Sequence, residues 1–159
     1  MIMPLTVLDR IRADFPTIRF RQGDAFAWMP EQRTIIHPPL GSDDAVRQLL
    51  HELGHAELAH DHYQRDIQLI DMERDAWLYA VQSLAPRYGL ELQMTDAIVQ
   101  QSLDSYRQWL HDRASCPTCH AVGLETARQR YRCLQCNESW RVNEARTCQL
   151  RRYKQPTPH

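Results

Sequence analysis

No apolar run in this sequence approaches the roughly 18 residues that a membrane-spanning helix needs. The start of the chain is interrupted by Asp9, Arg10 and Arg12, so we expect neither a signal peptide nor a membrane anchor. Internal repeats and low-complexity tracts are also missing. With 159 residues, of which 43% are hydrophobic and 25% charged, the composition excludes a collagen-like or coiled-coil chain. It is typical of one globular domain with a small appendage.

Cysteine is absent from the first 115 residues, and all five cysteines follow Ser115. An odd number, clustered as CPTC and CLQC, is typical of metal ligation in a reducing compartment and not of disulfide bonds. We therefore expect a cytoplasmic protein.

Lysine occurs only once, at Lys154, so the positive charge is almost entirely arginine. The formal net charge of −1 excludes a global field that would draw the protein to nucleic acid or membranes. The charge is nevertheless uneven. Residues 1–115 carry 11 Arg and 17 acidic residues, whereas residues 116–159 carry seven Arg, one Lys and three acidic residues. This asymmetry predicts two bodies of opposite sign.

The spacing of apolar residues and turn formers predicts an α+β fold. A short helix is expected over residues 5–15, ending before Pro16. Three short runs follow, at 17–21, 25–29 and 34–37, and the turn formers between them favour a small antiparallel meander. Longer helices are expected over about 43–60, 67–84 and 95–112.

The string HELGH at positions 51–55 is an HExxH motif within the helix expected over 43–60. Because successive helical residues are rotated by about 100°, His51 and His55 lie one turn apart on one face and can reach one tetrahedral zinc. Glu52 lies at the edge of that face, where its carboxylate can take a proton from the attacking water. The apolar residues of this helix gather on its opposite side: Val46, Leu49, Leu53 and Ala56. The histidines are therefore expected to face a cleft; the alternative is that they are ordinary exposed or hydrogen-bonded helix residues.

A third protein ligand is expected, because zinc hydrolases usually hold the metal with three. On the next helix, Glu73 lies in the middle of an apolar stripe. A buried carboxylate without a counter-charge costs several kcal/mol, so Glu73 should meet either a metal or an arginine. If the first long helix continues, His62 would lie about 10 Å beyond His55 along its axis. His60, Asp61 and His62 are the nearest candidates for the third ligand along the chain, but we expect His60 and His62 at the cleft rim or in solvent.

HELGHAEL, followed 18 residues after His55 by ERDAWLYA, resembles the ImmA/IrrE family of metallopeptidases, whose pattern joins HExxH to Glu-x-x-Ala on the next helix. The matching positions in the second motif are Glu73, Ala76, Tyr79 and Ala80. The resemblance covers roughly residues 5–112 and, outside the two motifs, is one of layout. Trp77 departs from the family, which often has a smaller polar residue there.

The resemblance implies a gluzincin-like site with zincin-like helices, in which His51, His55 and Glu73 hold a catalytic zinc and Glu52 is the base. Known members of the family cut helix-turn-helix repressor proteins of phages and mobile elements. The resemblance thus implies a zinc endopeptidase whose partner is a repressor-like DNA-binding protein. A substrate strand is expected to pair with the free edge of strand 34–37. The oxyanion donor stays open among four candidates: Tyr63, His60, His62 and Tyr106.

Four of the cysteines form CxxC-x13-CxxC, the spacing of a zinc ribbon: Cys116, Cys119, Cys133 and Cys136. Four thiolates leave no open position, so this second zinc is structural and substitutes for a core that about 35 residues cannot build. Cys148 is expected to be a free thiol. We therefore place a metallopeptidase domain at 1–113, a ribbon β domain at 114–150 and a basic, flexible tail at 151–159.

The ribbon and tail stay basic, at about +3, after the charge of the thiolate-bound zinc is counted. The basic residues are Arg128, Arg130, Arg132, Arg141, Arg146, Arg151, Arg152 and Lys154. This surface is expected to make weak contact with nucleic acid, to bind an acidic partner or the acidic first domain, or to be solvated without a ligand.

Two other functions stay open. A SprT-like protease also joins HExxH to a C-terminal zinc ribbon and acts near DNA, but typically takes a third histidine in place of Glu73. A non-catalytic regulator or antirepressor would use the ribbon to hold nucleic acid or a repressor. Such a regulator would have no need to keep His51, Glu52, His55 and Glu73 together.

Overall fold

A computed structural model of the chain describes residues 5–144 and 148–156. Contacts divide these residues into two compact units. Unit 1 contains the described residues of Met1–Asp61 and Met72–Val99, and unit 2 those of His62–Asp71 and Gln100–His159. The sequence predicted a domain boundary at residue 113. By their contacts, however, residues 62–71 and 100–113 group with the cysteines in unit 2.

Unit 1 begins with helix α1, Val7–Asp14, as the sequence predicts. Thr6 and Asp9 start this helix with reciprocal hydrogen bonds: the Thr6 hydroxyl accepts from the Asp9 amide at 3.1 Å, and the Asp9 carboxylate accepts from the Thr6 amide at 3.1 Å. Such a capping box satisfies amides that the first helical turn leaves without partners.

The sheet of unit 1 has three strands, β1 (Arg19–Gln22), β2 (Ala27–Met29) and β3 (Thr34–His37), in the order β1-β3-β2. β2 pairs antiparallel with β3, but β1 pairs parallel with it, so the predicted antiparallel meander is wrong for its first strand. β3 is the most buried of the three strands, and the central position covers both of its edges. β3 therefore has no free edge for a substrate, and that expectation is also wrong.

Helix α2 (Asp43–Glu57) follows the sheet and begins at Ser42, whose hydroxyl accepts from the Ala45 amide at 3.1 Å. Helix α3 (Asp66–Tyr79) continues through one π-helical segment, Ala80–Leu84, into a short turn of helix, α4 (Ala85–Arg87). The two predicted helices are confirmed, with α2 ending three residues early. π-helical segments usually occur as single-turn interruptions within α-helices, and α2 packs against this one.

Helix α5 (Ala97–Ala114) confirms the third long helix, starting two residues later than predicted. Unit 2 then forms an antiparallel sheet in the order β4-β5-β6-β7. Its strands are β4 (Gly123–Ala127), β5 (Arg130–Cys133), β6 (Ser139–Val142) and β7 (Arg152–Gln155). Part of the predicted flexible tail is thus the edge strand β7. Residues 157–159, the end of that tail, and Arg146 of the basic surface lie outside the described residues.

Large side chains on one face of the unit 2 sheet are buried. Tyr131, Trp140 and Val142 are at most 2% exposed, as the strand prediction requires. A buried ion pair lies at the same core: the Arg113 guanidinium donates to both Asp66 carboxylate oxygens, at 2.7 and 3.3 Å, and the Tyr131 hydroxyl also donates to Asp66. No described helix is both long enough and apolar enough to cross a bilayer.

Candidate metal centres

Two neighbouring helices of unit 1 bring three ligand-type side chains together. His51 and His55 come from α2 and Glu73 comes from α3. His51 Nε2 lies 3.1 Å from Glu73 Oε2, and His55 Nε2 lies 3.3 Å from Glu73 Oε1. One ligand atom from each residue falls within 4.8 Å of the others. This is the His2Glu set expected from the sequence.

The burial of this group favours a metal. His51, His55 and Glu73 are all buried, and His51 is only 4% exposed. No hydrogen bond satisfies His51 Nδ1, His51 Nε2 or Glu73 Oε2. Leaving buried polar atoms unsatisfied costs about 1–3 kcal/mol each, whereas a cation placed among the three side chains would bind a nitrogen and a carboxylate oxygen directly. The donor set of two imidazoles and one carboxylate fits a zinc with an open fourth position.

Without a metal, the three side chains would hold a proton in its place. Burial opposes the charged imidazolium of His51, but Glu52 and Glu73 outweigh it and raise the pKa of His51 to about 9. Burial also opposes the Glu73 carboxylate, but the adjacent imidazoles of His51 and His55 lower its pKa well below the ordinary value. Zinc must therefore displace a proton from this site when it binds.

A glycine of α2 sets the spacing between α2 and α3. Gly54 lies inside the HExxH motif, and a Cβ at this position would overlap the backbone oxygen of Ala76 and lie 3.1 Å from its carbonyl carbon. Trp77, the next residue, is fully buried and stacks on His51, with ring centroids 4.3 Å apart and an interplanar angle of 7°. The helices can thus approach closely enough for one ion, and Trp77 fixes the plane of one imidazole.

Glu52 lies beside the ligands and is held by the edge strand β2. Its Oε2 accepts from the Trp28 backbone amide at 2.8 Å, and its Oε1 lies 3.5 Å from His51 Nδ1. Trp28 pairs with Ile35 of β3 in the antiparallel register. Its amide therefore points away from β3, along the outer edge of the sheet. The edge next to the metal group belongs to β2 and not, as the sequence suggested, to β3.

His60 contacts the candidate metal ligand His55, an interaction not predicted from the sequence. Its Nδ1 lies 2.9 Å from His55 Nδ1, and its backbone oxygen accepts from Trp28 Nε1 at 3.1 Å. The chain turns back here because α2 ends at Glu57 and Ala59 takes a left-handed conformation with φ of 52°. Burial, together with the neighbouring His55, lowers the pKa of His60, and a neutral His60 imidazole can accept a hydrogen bond from the N–H at His55 Nδ1. Such a bond leaves His55 Nε2 free for a metal.

Three of the other residues named near the site in the sequence fall in unit 2: His62, Tyr63 and Tyr106. The Tyr63 hydroxyl donates to Glu144 at 2.6 Å within that unit. Neither His60 nor His62 belongs to the metal-type group, and Asp61 does not either, among the residues the structure describes.

The second metal-type group lies in unit 2 and contains the four predicted cysteines, Cys116, Cys119, Cys133 and Cys136. The Sγ atoms of Cys116 and Cys136 are 3.6 Å apart, and those of Cys119 and Cys133 are 3.5 Å apart. Four thiolates around zinc, each at about 2.3 Å, would lie about 3.8 Å from one another. The cluster therefore fits a tetrahedral ion with little movement.

Backbone amides stabilise the thiolate form of Cys133, which is the form that binds a cation. Amides of Gln135 and Cys136 donate to Cys133 Sγ at 3.3 and 3.4 Å, and the hydrogen bond from Cys136 is the main influence that lowers the pKa of the Cys133 thiol to about 6. His120 and Asn137, which follow the two CxxC motifs, are both left-handed, with φ of 64° and 65°. Cys148 is exposed and is not a member of the described four-cysteine group.

Comparisons with models of protein families, with curated proteins and with solved structures found no match.

Proposed function

We propose that this chain is a zinc-dependent endopeptidase, with a catalytic zinc held by His51, His55 and Glu73 and a structural zinc held by the four cysteines. The observation that carries the proposal is the buried His2Glu group, in which His51 Nδ1, His51 Nε2 and Glu73 Oε2 lack hydrogen-bond partners and one ligand atom from each residue lies within 4.8 Å of the others. A purely structural role would be served better by a closed ligand set, as in the cysteine cluster.

When bound, the zinc would polarise the scissile carbonyl and activate water for attack. Glu52 would take the proton from that water and pass it to the leaving amine. Its hydrogen bond from the Trp28 amide at 2.8 Å holds the carboxylate beside the ligands. An extended substrate would run along the outer edge of β2, where the Trp28 carbonyl is directed, and main-chain hydrogen bonds would align the peptide.

For the substrate, we propose a helix-turn-helix repressor-like protein of a phage or mobile element. This choice rests on the resemblance of HELGHAEL and ERDAWLYA to the ImmA/IrrE family. The SprT-like alternative is less well supported, because a carboxylate and not a third histidine completes the described group.

Metal analysis with one substitution tests the enzyme proposal. The purified protein should contain two zinc ions per chain, of which a chelator removes one readily. Glu52→Gln should keep both and lower peptide cleavage by about 10²–10⁴-fold, since only the general base is lost. Glu57→Gln, an exposed change on the same helix, is the matched control and should cleave normally. Two zinc ions that resist chelation equally, or full activity in Glu52→Gln, would refute the proposal.

The substrate class needs its own test. Glu52→Gln should trap bound substrate, and a captured helix-turn-helix protein should then be cut by the wild-type chain in purified form. If the trapped proteins that are cut share no such domain, the substrate class is wrong although the enzyme proposal stands.

A further inference from the structure

The antiparallel register of unit 2 divides its basic residues between the two faces of the sheet. Arg130 pairs with Arg141, and Arg141 pairs with Tyr153, so these three side chains share one face. Arg132, two residues along β5, lies on the same face and pairs with Ser139. Tyr131 and Trp140 occupy the buried face. We call the face with Arg130, Arg132, Arg141 and Tyr153 the outer face.

The outer face concentrates positive charge, and no acidic residue pairs with it across the described strands. All three arginines are exposed. The remaining residues paired with this face across the strands are uncharged: Leu124, Ala127, Ser139 and Gln155. The nearest strand acid, Glu125, pairs with Tyr131 on the other face. Three guanidinium groups repel one another unless an anion lies between them, so this arrangement is complementary to a polyanion.

The outer face also offers planar groups for stacking. Tyr153 is 41% exposed, and the Arg141 guanidinium lies 4.8 Å from its ring centroid. Arginine planes and aromatic rings are the groups on which unpaired bases stack, while nearby arginines bind the phosphates. In a duplex, the bases stack on each other and would leave Tyr153 unused. An acidic peptide would satisfy the charge but has no comparable use for the ring.

We propose that the outer face binds single-stranded nucleic acid, with phosphates on Arg130, Arg132 and Arg141 and a base stacked at Tyr153. This inference does not depend on the peptidase activity. Arg152 and Lys154 are excluded from the binding face, because they pair with the buried-face residues Val142 and Trp140. The basic surface predicted from the sequence is thus reduced to one face of β5–β7.

Fluorescence anisotropy with the full-length, zinc-loaded protein tests the proposal, using labelled 12-nucleotide oligo-dT, oligo-rU and a 12-base-pair duplex as probes. We expect the single strands to bind more tightly than the duplex. The logarithm of affinity should fall with the logarithm of salt with a slope of about −2, since three phosphate contacts contribute about −0.7 each. A slope near zero, or stronger binding of the duplex, would overturn the proposal.

Two variants locate the interaction. Replacing Arg130, Arg132 and Arg141 together by Gln should abolish the salt-dependent binding, and Tyr153→Ser should weaken it about fivefold or more. The matched control replaces Arg128, Arg151 and Lys154 by Gln, which removes the same charge from exposed positions outside the outer face. Equal losses in the two triple variants would mean nonspecific attraction and would overturn the assignment. So would equal competition by poly-glutamate, which would indicate a protein partner. Zinc content serves as the folding check, and single arginine variants replace the triple one if it loses zinc.

Discussion

Gly54→Ala would separate the two helices that hold the His2Glu group. A Cβ at this position would overlap the Ala76 oxygen and lie only 3.1 Å from the Ala76 carbonyl carbon. Carbon atoms pack best about 3.5–4.0 Å apart. The helices must therefore open by at least about 0.4 Å to relieve the carbon contact, and by more to relieve the oxygen. The obstacle is backbone, so no side-chain rotation can relieve it.

This movement is large on the scale of metal coordination, where distances hold to about 0.2 Å. His51 and His55 lie 3.1 and 3.3 Å from Glu73, and opening the helices moves both pairs apart. We expect the affinity of this site for zinc to fall by at least about tenfold, similar to the loss of a supporting hydrogen bond. Overpacking should also cost about 1–3 kcal/mol of stability in the metal-free protein.

Competition with a chromophoric zinc chelator measures the affinity, and the cysteine-bound zinc of the same molecule serves as an internal reference. Urea denaturation of the chelated protein measures the stability. Gly41→Ala is the matched control, because a Cβ there has nothing within 4 Å. A folded Gly54→Ala protein that binds zinc as tightly as the wild type would refute the reasoning that this glycine sets the ligand spacing.

Three further predictions concern His60, His51 and the buried Asp66–Arg113 ion pair. His60→Ala removes the group 2.9 Å from His55 Nδ1 and should weaken zinc binding at the His2Glu site about 10–100-fold, measured by the same competition, while the cysteine site is unchanged. In the chelated protein, the raised pKa of His51 contributes stability that is fully present below its unfolded pKa of about 6.5 and is lost as the pH rises through about 9. Urea denaturation should therefore show the free energy of unfolding falling by on the order of 3 kcal/mol over that range. A flat profile would contradict a raised pKa of His51. Asp66→Asn leaves the buried Arg113 without its carboxylate and should cost about 3–5 kcal/mol by urea denaturation, and a cost below about 1 kcal/mol would mean that the pair is solvated.

Local periodicity was sufficient to predict that His51 and His55 share a face and that Glu73 is buried, but it left a metal and an arginine open as the partner of Glu73. HExxH places two imidazoles one turn apart in any helix, and a helix over this segment is what the structure has. Glu73 was identified because a carboxylate in an apolar stripe must find a partner. The exposed neighbours Asp71 and Asp75 confirm the helical phase from which that inference was made. These are short-range properties, which a single sequence contains.

Strand order and the position of His60 could not be predicted in this way. Parallel pairing of β1 with β3 depends on which strand the rest of the unit buries, and turn formers between strands do not encode it. His60 contacts His55 only because α2 ends at Glu57. A helix that continued to residue 60, as predicted from the sequence, would not turn back in this way. A left-handed alanine such as Ala59 carries no recognisable signal, since the conformation is imposed by the contacts around it.

The two motifs contain positions that serve spacing and positions that serve chemistry. Glu73 and Ala76 are three residues apart and so lie on one face of α3, toward α2. Glu73 supplies the carboxylate. Ala76 is fully buried, and its backbone oxygen lies against Gly54. A larger residue at Gly54 would hold the helices apart and leave the carboxylate short of the imidazoles. The glycine of HELGH is therefore as necessary to a metal site as the histidines, because it determines whether three correct side chains can share one ion.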